Sequence, residues 1–315
     1  LGLGTGAVDS ITTGDYNVGV GDSALTATTT GYQNTASGHR SLYSNTTGYY
    51  NTASGSYALY SNTASYNTAI GRSALETNTT GANNTASGYA ALLSNTTGVN
   101  NTANGSGALR LNTTGANNTA SGYAALYSNT TGTQNTAVGK DALYSNTTGN
   151  YNNAFGTGAL SSTTTGAHNI GLGRNSQSTS ATANSQCTLG DDQINNLRCN
   201  DQSISALSDS RDKTDVIDSP YGLDFINTVR PVQFLWDTRY GNCKDGTTRI
   251  GFIAQELLAA TDGNNAVLDL VLDDNPDKLE AKYGNLLPIA IKAIQELSAK
   301  NDALEARIVA LEPTA

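Results

Sequence analysis

The residues best suited to chemistry are Ser208 and Lys213, five positions apart in Ser208-Asp209-Ser210-Arg211-Asp212-Lys213. A serine hydroxyl is a poor nucleophile until a base takes its proton. A lysine serves as that base only when desolvation or a neighbouring cation, here Arg211, lowers its pKa. Asp212 works the other way, because an adjacent carboxylate holds the lysine charged. Such a pair also occurs on ordinary surface loops, so its meaning rests on its surroundings.

Other chemistry-bearing groups are sparse. Gly2-Leu3-Gly4-Thr5-Gly6 and Gly171-Leu172-Gly173 look like phosphate loops only superficially, since neither sits between a strand and a helix and both are in register with a repeat. His39 and His168 occupy variable repeat positions with no carboxylate partner and are expected in solvent. Glu76 and Asp141 are isolated, unlike the paired carboxylates of a glycosidase. Cys187, Cys199 and Cys243 form no CxxC and have no histidine nearby. They read as buried thiols of a protein folded in a reducing cytosol, with a Cys187–Cys199 disulfide as the alternative. No metal or cofactor is expected.

The charge is unevenly placed. Residues 1–174 hold five basic and five acidic residues, so residues 175–315 carry the whole net charge of −9. An acidic segment without a basic stripe argues against nucleic acid and anionic membrane as partners. No run of 18 apolar residues is present, so no membrane insertion is expected. The N-terminus reads as the interior of a longer array, with an upstream segment preceding it.

Residues 1–174 repeat with a period of 17, in units close to N-T-A-S-G-Y-x-A-L-Y-S-N-T-T-G-x-x. The marker asparagines are Asn34, Asn51, Asn67, Asn84, Asn101, Asn118, Asn135 and Asn152, with one 16-residue step from Asn51 to Asn67. A short fixed period means one structural coil per repeat. Two glycines per unit, Gly38 and Gly48 for example, and abundant Asn and Thr exclude a helical solenoid. The expectation is one strand pair and two turns per coil, each glycine taking the positive φ of a corner. Val8, Leu25, Leu42, Leu59, Leu75, Leu92, Leu109, Leu126, Leu143 and Leu160 stack as the core. Asn45, Asn62, Asn78 and Asn95 form a hydrogen-bonded ladder. Ten coils give a rod of roughly 50 Å.

One leucine per coil is a thin core. Its burial contributes about 1.5–3 kcal/mol, against about 1–2 kcal/mol of backbone ordering per residue, so partner chains are expected to supply the missing burial. The units are similar to the head repeats of trimeric autotransporter adhesins and to repeats of marine phage fibres. That similarity implies a trimeric, left-handed parallel β-roll. The apolar residues Leu3, Val20, Phe155 and Leu172 before glycines at the two ends read as interfaces to adjoining segments. Tyr43, Tyr50, Tyr57, Tyr60, Tyr127 and Tyr144 are expected outward, available to stack on sugars.

Residues 175–207 read as a β-structured neck, with strands at Cys187-Thr188-Leu189 and Ile194-Asn195-Asn196-Leu197-Arg198-Cys199 about a Gly-Asp turn. From Ser208 the pattern becomes a small α+β domain. A helix is expected over Leu223–Val229, ended by Pro231, and a strand over Val232–Trp236 with Trp236 in the core. A strand over Arg249–Ile253 runs into a helix over Ala254–Ala260, and Ala266–Leu272 reads as strand. The last helix spans about Leu286–Leu311. Its apolar positions Leu287, Ala290, Ile294, Leu297, Leu304, Ile308 and Leu311 follow steps of three and four, with Asn301 at one core position, the pattern of a coiled coil.

Residues 208–315 carry Gly222-Leu223-Asp224-Phe225-Ile226, Arg230-Pro231-Val232, Gly251-Phe252-Ile253-Ala254-Gln255-Glu256-Leu257 and Tyr283-Gly284-Asn285-Leu286-Leu287-Pro288 after the Ser–Lys pair. In this order and spacing they resemble the C-terminal intramolecular chaperone of phage tail fibres and tailspikes, the self-cleaving peptidase S74 family. The resemblance implies a homotrimeric fibre, mainly β, whose small α+β chaperone domain ends in a trimeric coiled coil over 286–311. It matches Ser208 to the nucleophile and Lys213 to the general base of a single self-cleavage at Leu207–Ser208, with no turnover of an external substrate. It places the protein in the virion, assembled in a host cytoplasm, between an upstream fibre or baseplate segment and a host receptor such as a glycan. The competing reading is a cell-surface adhesin or extracellular filament with this domain as a permanent trimerisation cap.

Overall fold

The computed structural model describes residues 2–191, 210, 213–235, 246, 248–276 and 279–311. The chain divides into two compact units, Leu1–Asp191 and Asp192–Ala315.

The first unit is a parallel β-solenoid. Twelve strands, from β1 (Gly2–Leu3) to β12 (Cys187–Leu189), form one sheet in sequence order. Each full coil contributes a single three-residue strand, such as Thr35–Ser37 or Thr85–Ser87, with the central residue buried and the outer two facing out. Neighbouring strands pair 17 residues apart, as in Thr85↔Thr102. The expected strand pair per coil is therefore corrected to one strand, the remainder of each coil being turns. The reason lies in the backbone of the Ala-Leu half. Leu92 (φ 51°) and Ala90 (φ 54°) are both left-handed, and the same holds along the leucine column, so an extended run cannot form there.

The two glycines of a unit also differ. Gly38 holds φ 136°, a conformation other residues rarely adopt. Gly48 has no positive φ; an added Cβ there would strike the Ala64 carbonyl of the next coil and the Asn45 side chain. The expectation that each glycine takes a positive φ thus holds for the first type, while the second is glycine because the coils approach too closely for a side chain.

The leucine column and the strand alanines are fully buried within one chain, from Leu25 to Leu160 and from Ala36 to Ala154. The thin core therefore closes without partner chains, contrary to the reasoning from leucine burial alone. Buried asparagine ladders and coil-to-coil backbone bonds make up the difference. In the first ladder Asn62, Asn78 and Asn95 each donate Nδ2 to the Oδ1 of the preceding member, at 3.4, 2.7 and 2.7 Å. A second ladder, unforeseen in the sequence, uses the marker asparagines. Asn84 Oδ1 accepts from the backbone N–H of Asn101 at 3.0 Å, while Asn84 Nδ2 donates to the Gly98 carbonyl at 2.8 Å. Threonine hydroxyls make a third, for instance Thr96 Oγ1 to the Thr113 carbonyl at 3.0 Å. Buried amides are thus paired from coil to coil, which is what allows so polar an interior; the first ladder ends at Asn146, which donates to Asn129 and whose own Oδ1 is left unpaired.

The 16-residue coil leaves the sheet undisturbed, with Thr52↔Thr68 and Ala53↔Ala69 in register. The missing residue is absorbed where other coils have Thr-Thr-Gly. Asn62 Nδ2 there donates to the Ala64 carbonyl two residues on, where Asn45 reaches three residues on to Gly48.

The coils run beyond residue 174. Cys187–Leu189 pairs in parallel with Ile170–Leu172, so the segment expected as a neck opens with a further coil. Gln177 stands where the leucine column would continue. Its Nε2 donates to the Gly158 carbonyl at 2.6 Å and its Oε1 accepts from the Ser162 N–H at 3.1 Å, a polar finish to the core. Cys187 is exposed, which corrects its reading as a buried thiol. The second neck strand at Ile194–Cys199, together with Cys199, Cys243 and Trp236, lies outside the described residues.

The second unit is small and mixed. Its described elements are α1 (Leu223–Ile226), β13 (Val232–Phe234), β14 (Arg249–Gly251), α2 (Ala254–Ala260), α3 (Asn265–Leu268), β15 (Val271–Leu272), β16 (Glu280–Ala281) and α4 (Leu286–Leu311). β13 pairs antiparallel with β14, and β15 with β16. The strand expected over Ala266–Leu272 is corrected to a four-residue helix and a short strand, turned at Asp269 in the left-handed region (φ 48°). Leu257, Leu268, Leu270, Val271, Leu286 and Ile289 form the buried core.

Candidate functional site

Of the candidate catalytic residues, Lys213 is described. It is exposed, and its backbone N–H donates to the Ser210 carbonyl at 3.3 Å, a tight turn. Ser208, Leu207, Arg211 and Asp212 lie outside the described residues.

The downstream blocks that frame this pair are held to one another. Arg230 and Glu256 form a two-pronged ion pair, with Arg230 Nε donating to Glu256 Oε2 at 2.9 Å and Nη2 bonded to Oε1. The guanidinium holds the Glu256 carboxyl below the usual glutamate range, and Glu256 in turn raises Arg230. Gly251 carries no side chain because the Tyr283 hydroxyl and the Phe234 ring occupy the space a Cβ would take. Phe252 and Tyr283 meet edge to face at 5.4 Å. The residues that stand out in these blocks are therefore packing and pairing residues that hold α1, α2, β14 and the start of α4.

Glu296 of α4 escaped the sequence reading. Its Oε2 accepts from the Leu223 N–H at 2.8 Å, capping the start of α1, and Gly222 has no Cβ where that carboxylate sits. The signal was a glycine beside the helix start, whose partner lies 73 residues away.

Helix α4 has two apolar faces. Leu286, Ile289 and Ala293 are buried against their own unit, while Leu287, Ile294, Leu297, Leu304, Ile308 and Leu311 are exposed by 53–81%. With the half-buried Ala290 and the exposed Asn301 filling its two seven-residue gaps, this set is the stripe with three-and-four spacing. An apolar stripe of this length left in water is unusual unless it has a partner.

On the solenoid, tyrosines stack from coil to coil. Tyr43–Tyr60, Tyr127–Tyr144 and Tyr50–Tyr66 are stacked at 5.1, 5.2 and 5.4 Å. Much of the ring surface expected to be open for sugars is thus spent on neighbouring rings. Desolvation, with Tyr49 beside it, raises the Tyr66 phenol. His39 and His168 are exposed and pack against Tyr57 and Tyr151. Among the described residues no group of three His, Cys, Asp or Glu is placed to hold a metal ion, and no helix is long and apolar enough to cross a membrane.

Comparison with known proteins gives one finding at the candidate site. Residues 208–268 match the family model described as chaperone of endosialidase, Peptidase_S74. No curated protein and no solved structure matches the chain. The matched segment begins at Ser208 and takes in α1, the Arg230–Glu256 pair and α2. Joined to the solenoid of 17-residue coils, this peptidase S74 chaperone segment fits a tail fibre with a C-terminal chaperone domain, and it implies that the fibre is trimeric.

Proposed function

We propose that the chain is the shaft and chaperone of a phage tail fibre. In this reading the C-terminal domain aligns three chains through α4, lets the solenoid form in register, and is then cut away at Leu207–Ser208. The observation that carries it is the exposed stripe of α4, because an apolar surface repeating by threes and fours is completed by identical helices packed against it. A repeat array needs such a nucleus. Coil n of one chain pairs with coil n+1 of another almost as well as in the right register. Slow non-local assembly also exposes chains to aggregation.

The cleavage step is an acyl shift followed by hydrolysis. Lys213 takes the proton from Ser208 Oγ, which attacks the Leu207 carbonyl carbon. The Leu207–Ser208 C–N bond breaks, the proton passes to the freed Ser208 amine, and Leu207 is left as an ester on Oγ. Water then splits the ester to the Leu207 carboxylate and the Ser208 hydroxyl. Lys213 is exposed in the single chain, and a lysine becomes a base only where it is desolvated, so neighbouring chains must cover it first. Cleavage then follows assembly, and loss of the chaperone leaves a shaft without its route back to free chains. The fibre would act in the virion, joined to an upstream fibre or baseplate segment, and contact a host surface receptor.

Expression of the full chain tests this directly. The wild type should yield fragments of about 207 and 108 residues, while Ser208→Ala and Lys213→Ala should each give one full-length band. A wild type that stays whole while demonstrably trimeric would remove the peptidase claim and leave a permanent cap.

A further inference from the structure

One column of the solenoid surface runs Arg72, Tyr89, Ser106, Tyr123 and Lys140, one residue per coil, tied by backbone bonds such as Gly107 N–H to the Tyr89 carbonyl and Ala124 N–H to the Ser106 carbonyl. Elsewhere, tyrosines on adjacent coils stack at about 5 Å, as Tyr43 and Tyr60 do at 5.1 Å. Tyr89 and Tyr123 are two coils apart, roughly 10 Å by strand spacing, with only a serine between them. The gap is the width of one missing ring. Arg72 covers one face of Tyr89 from the preceding coil at 5.9 Å, which leaves the face toward Ser106. Both tyrosines are exposed, by 52% and 61%.

The gap is a formed notch of about 110 Å³, with Ala90, Ser106, Gly107, Arg110, Ala124 and Tyr127 completing its lining. Gly107 is not required by the backbone. It sits at φ 68°, and Ala90 and Ala124 hold the same left-handed conformation in the flanking coils, so its effect is to leave room. Arg110 Nη1 donates to the Tyr127 hydroxyl at 2.7 Å, and Nε is buried with no hydrogen-bond partner. The notch opens into a shallow cleft of about 740 Å³ that adds Asp141 and Tyr144.

We propose that this notch binds one neutral pyranose ring of a glycan, held between Tyr89 and Tyr123, with the rest of the saccharide lying along the cleft toward Tyr144. Sugar rings present apolar faces that lie on aromatic rings, and their hydroxyls use donors and acceptors together. The guanidinium of Arg110 supplies donors at the notch, and in the cleft the carboxylate of Asp141, 3.7 Å from Lys140 Nζ, supplies an acceptor for the rest of the saccharide, a combination a plain aromatic ligand would not use. The inference deepens the proposed receptor contact and rests on it for its biological meaning, but binding is a property of the purified fibre.

The test is a printed array of neutral pyranosyl oligosaccharides probed with purified wild type, Ser106→Tyr and Thr97→Ala, the last at an exposed position outside the notch and the cleft. Wild type and Thr97→Ala should bind a shared subset. Ser106→Tyr, which fills the gap with the ring its column carries on either side, should lose that signal by about tenfold or more while melting at the wild-type temperature. No bound saccharide for wild type, or equal binding by Ser106→Tyr, overturns the site. Cell adsorption separates the two readings. Array binding lost in Ser106→Tyr without adsorption to any cell upholds the notch and removes host attachment. Equal adsorption of both proteins places the receptor contact elsewhere.

Discussion

Asn95 Nδ2 donates to Asn78 Oδ1 at 2.7 Å across two coils and to the Gly98 carbonyl of its own coil at 3.0 Å, while Asn95 Oδ1 accepts from Asn112 at 2.8 Å. One fully buried side chain thus serves three partners in three coils. Asn95→Ala leaves Asn78 Oδ1 without its donor, while the Gly98 carbonyl keeps Asn84 Nδ2 and Asn112 Nδ2 keeps the Gly115 carbonyl. At about 1–3 kcal/mol for the orphaned oxygen and about 0.5–1.5 kcal/mol for each of the other two bonds lost, the expected loss is about 2–6 kcal/mol. Thr97→Ala, at an exposed position of the same turn, should stay within about 0.5 kcal/mol of wild type. Denaturant unfolding of both variants measures the difference, and equal stabilities would show that the ladder is ornamental.

The leucine column makes a second demand. Leu126 is fully buried among alanines, so Leu126→Ala should cost about 2–5 kcal/mol, and Leu126→Asp should keep the coil from closing because a lone carboxylate there has no partner. Thermal unfolding and protease nicking near residue 126 read both effects. A Leu126→Ala protein as stable as wild type would contradict the closed single-chain core.

Much of the solenoid was legible because its cues are local and repeated. Asn-Thr-Ala-x-Gly fixes the strand, the leucine fixes the core column, and the 17-residue spacing fixes the register. The left-handed leucines were not legible, since the sign of φ leaves no mark on a hydrophobic pattern. That omission produced the extra strand per coil. The four residues of Asn265–Leu268 are too few to show a helical period. Glu296 and Leu223 meet only through tertiary structure. The Ser208–Lys213 pair was readable solely through the company of its downstream blocks, because two residues five apart carry no geometry of their own.

The Glu296 contact gives a third expectation. Gly222→Ala puts a methyl where the Glu296 carboxylate lies, so it should displace the cap of α1 and loosen α1 from α4, as should Glu296→Ala at about 1 kcal/mol. Amide exchange at Leu223–Ile226 should quicken in both variants, with the exposed stripe of α4 still helical by circular dichroism. Unchanged exchange in Glu296→Ala would show that the cap does not hold the helix.

The Arg230–Glu256 pair predicts an acid-side effect. Its carboxyl is depressed in the folded protein, chiefly by the hydrogen bond from Arg230, so its contribution is present above the ordinary glutamate range and fades as pH falls through the depressed value. The pair is exposed, and the effect is correspondingly small. Unfolding followed from neutral to acid pH should show a component that vanishes in Glu256→Gln. Identical pH profiles for the two proteins would remove it.

The 16-residue coil between Asn51 and Asn67 has a meaning beyond its own turn. A stack of identical rungs looks the same after a shift by one rung, like a ruler without numerals. The short Thr63-Ala64 turn is a dislocation in that lattice, and shifting the stack by one rung sets it against a Thr-Thr-Gly turn of a different length. The deletion thus gives the array an origin, a single rung from which every other can be counted, while the sheet beneath it runs on unbroken.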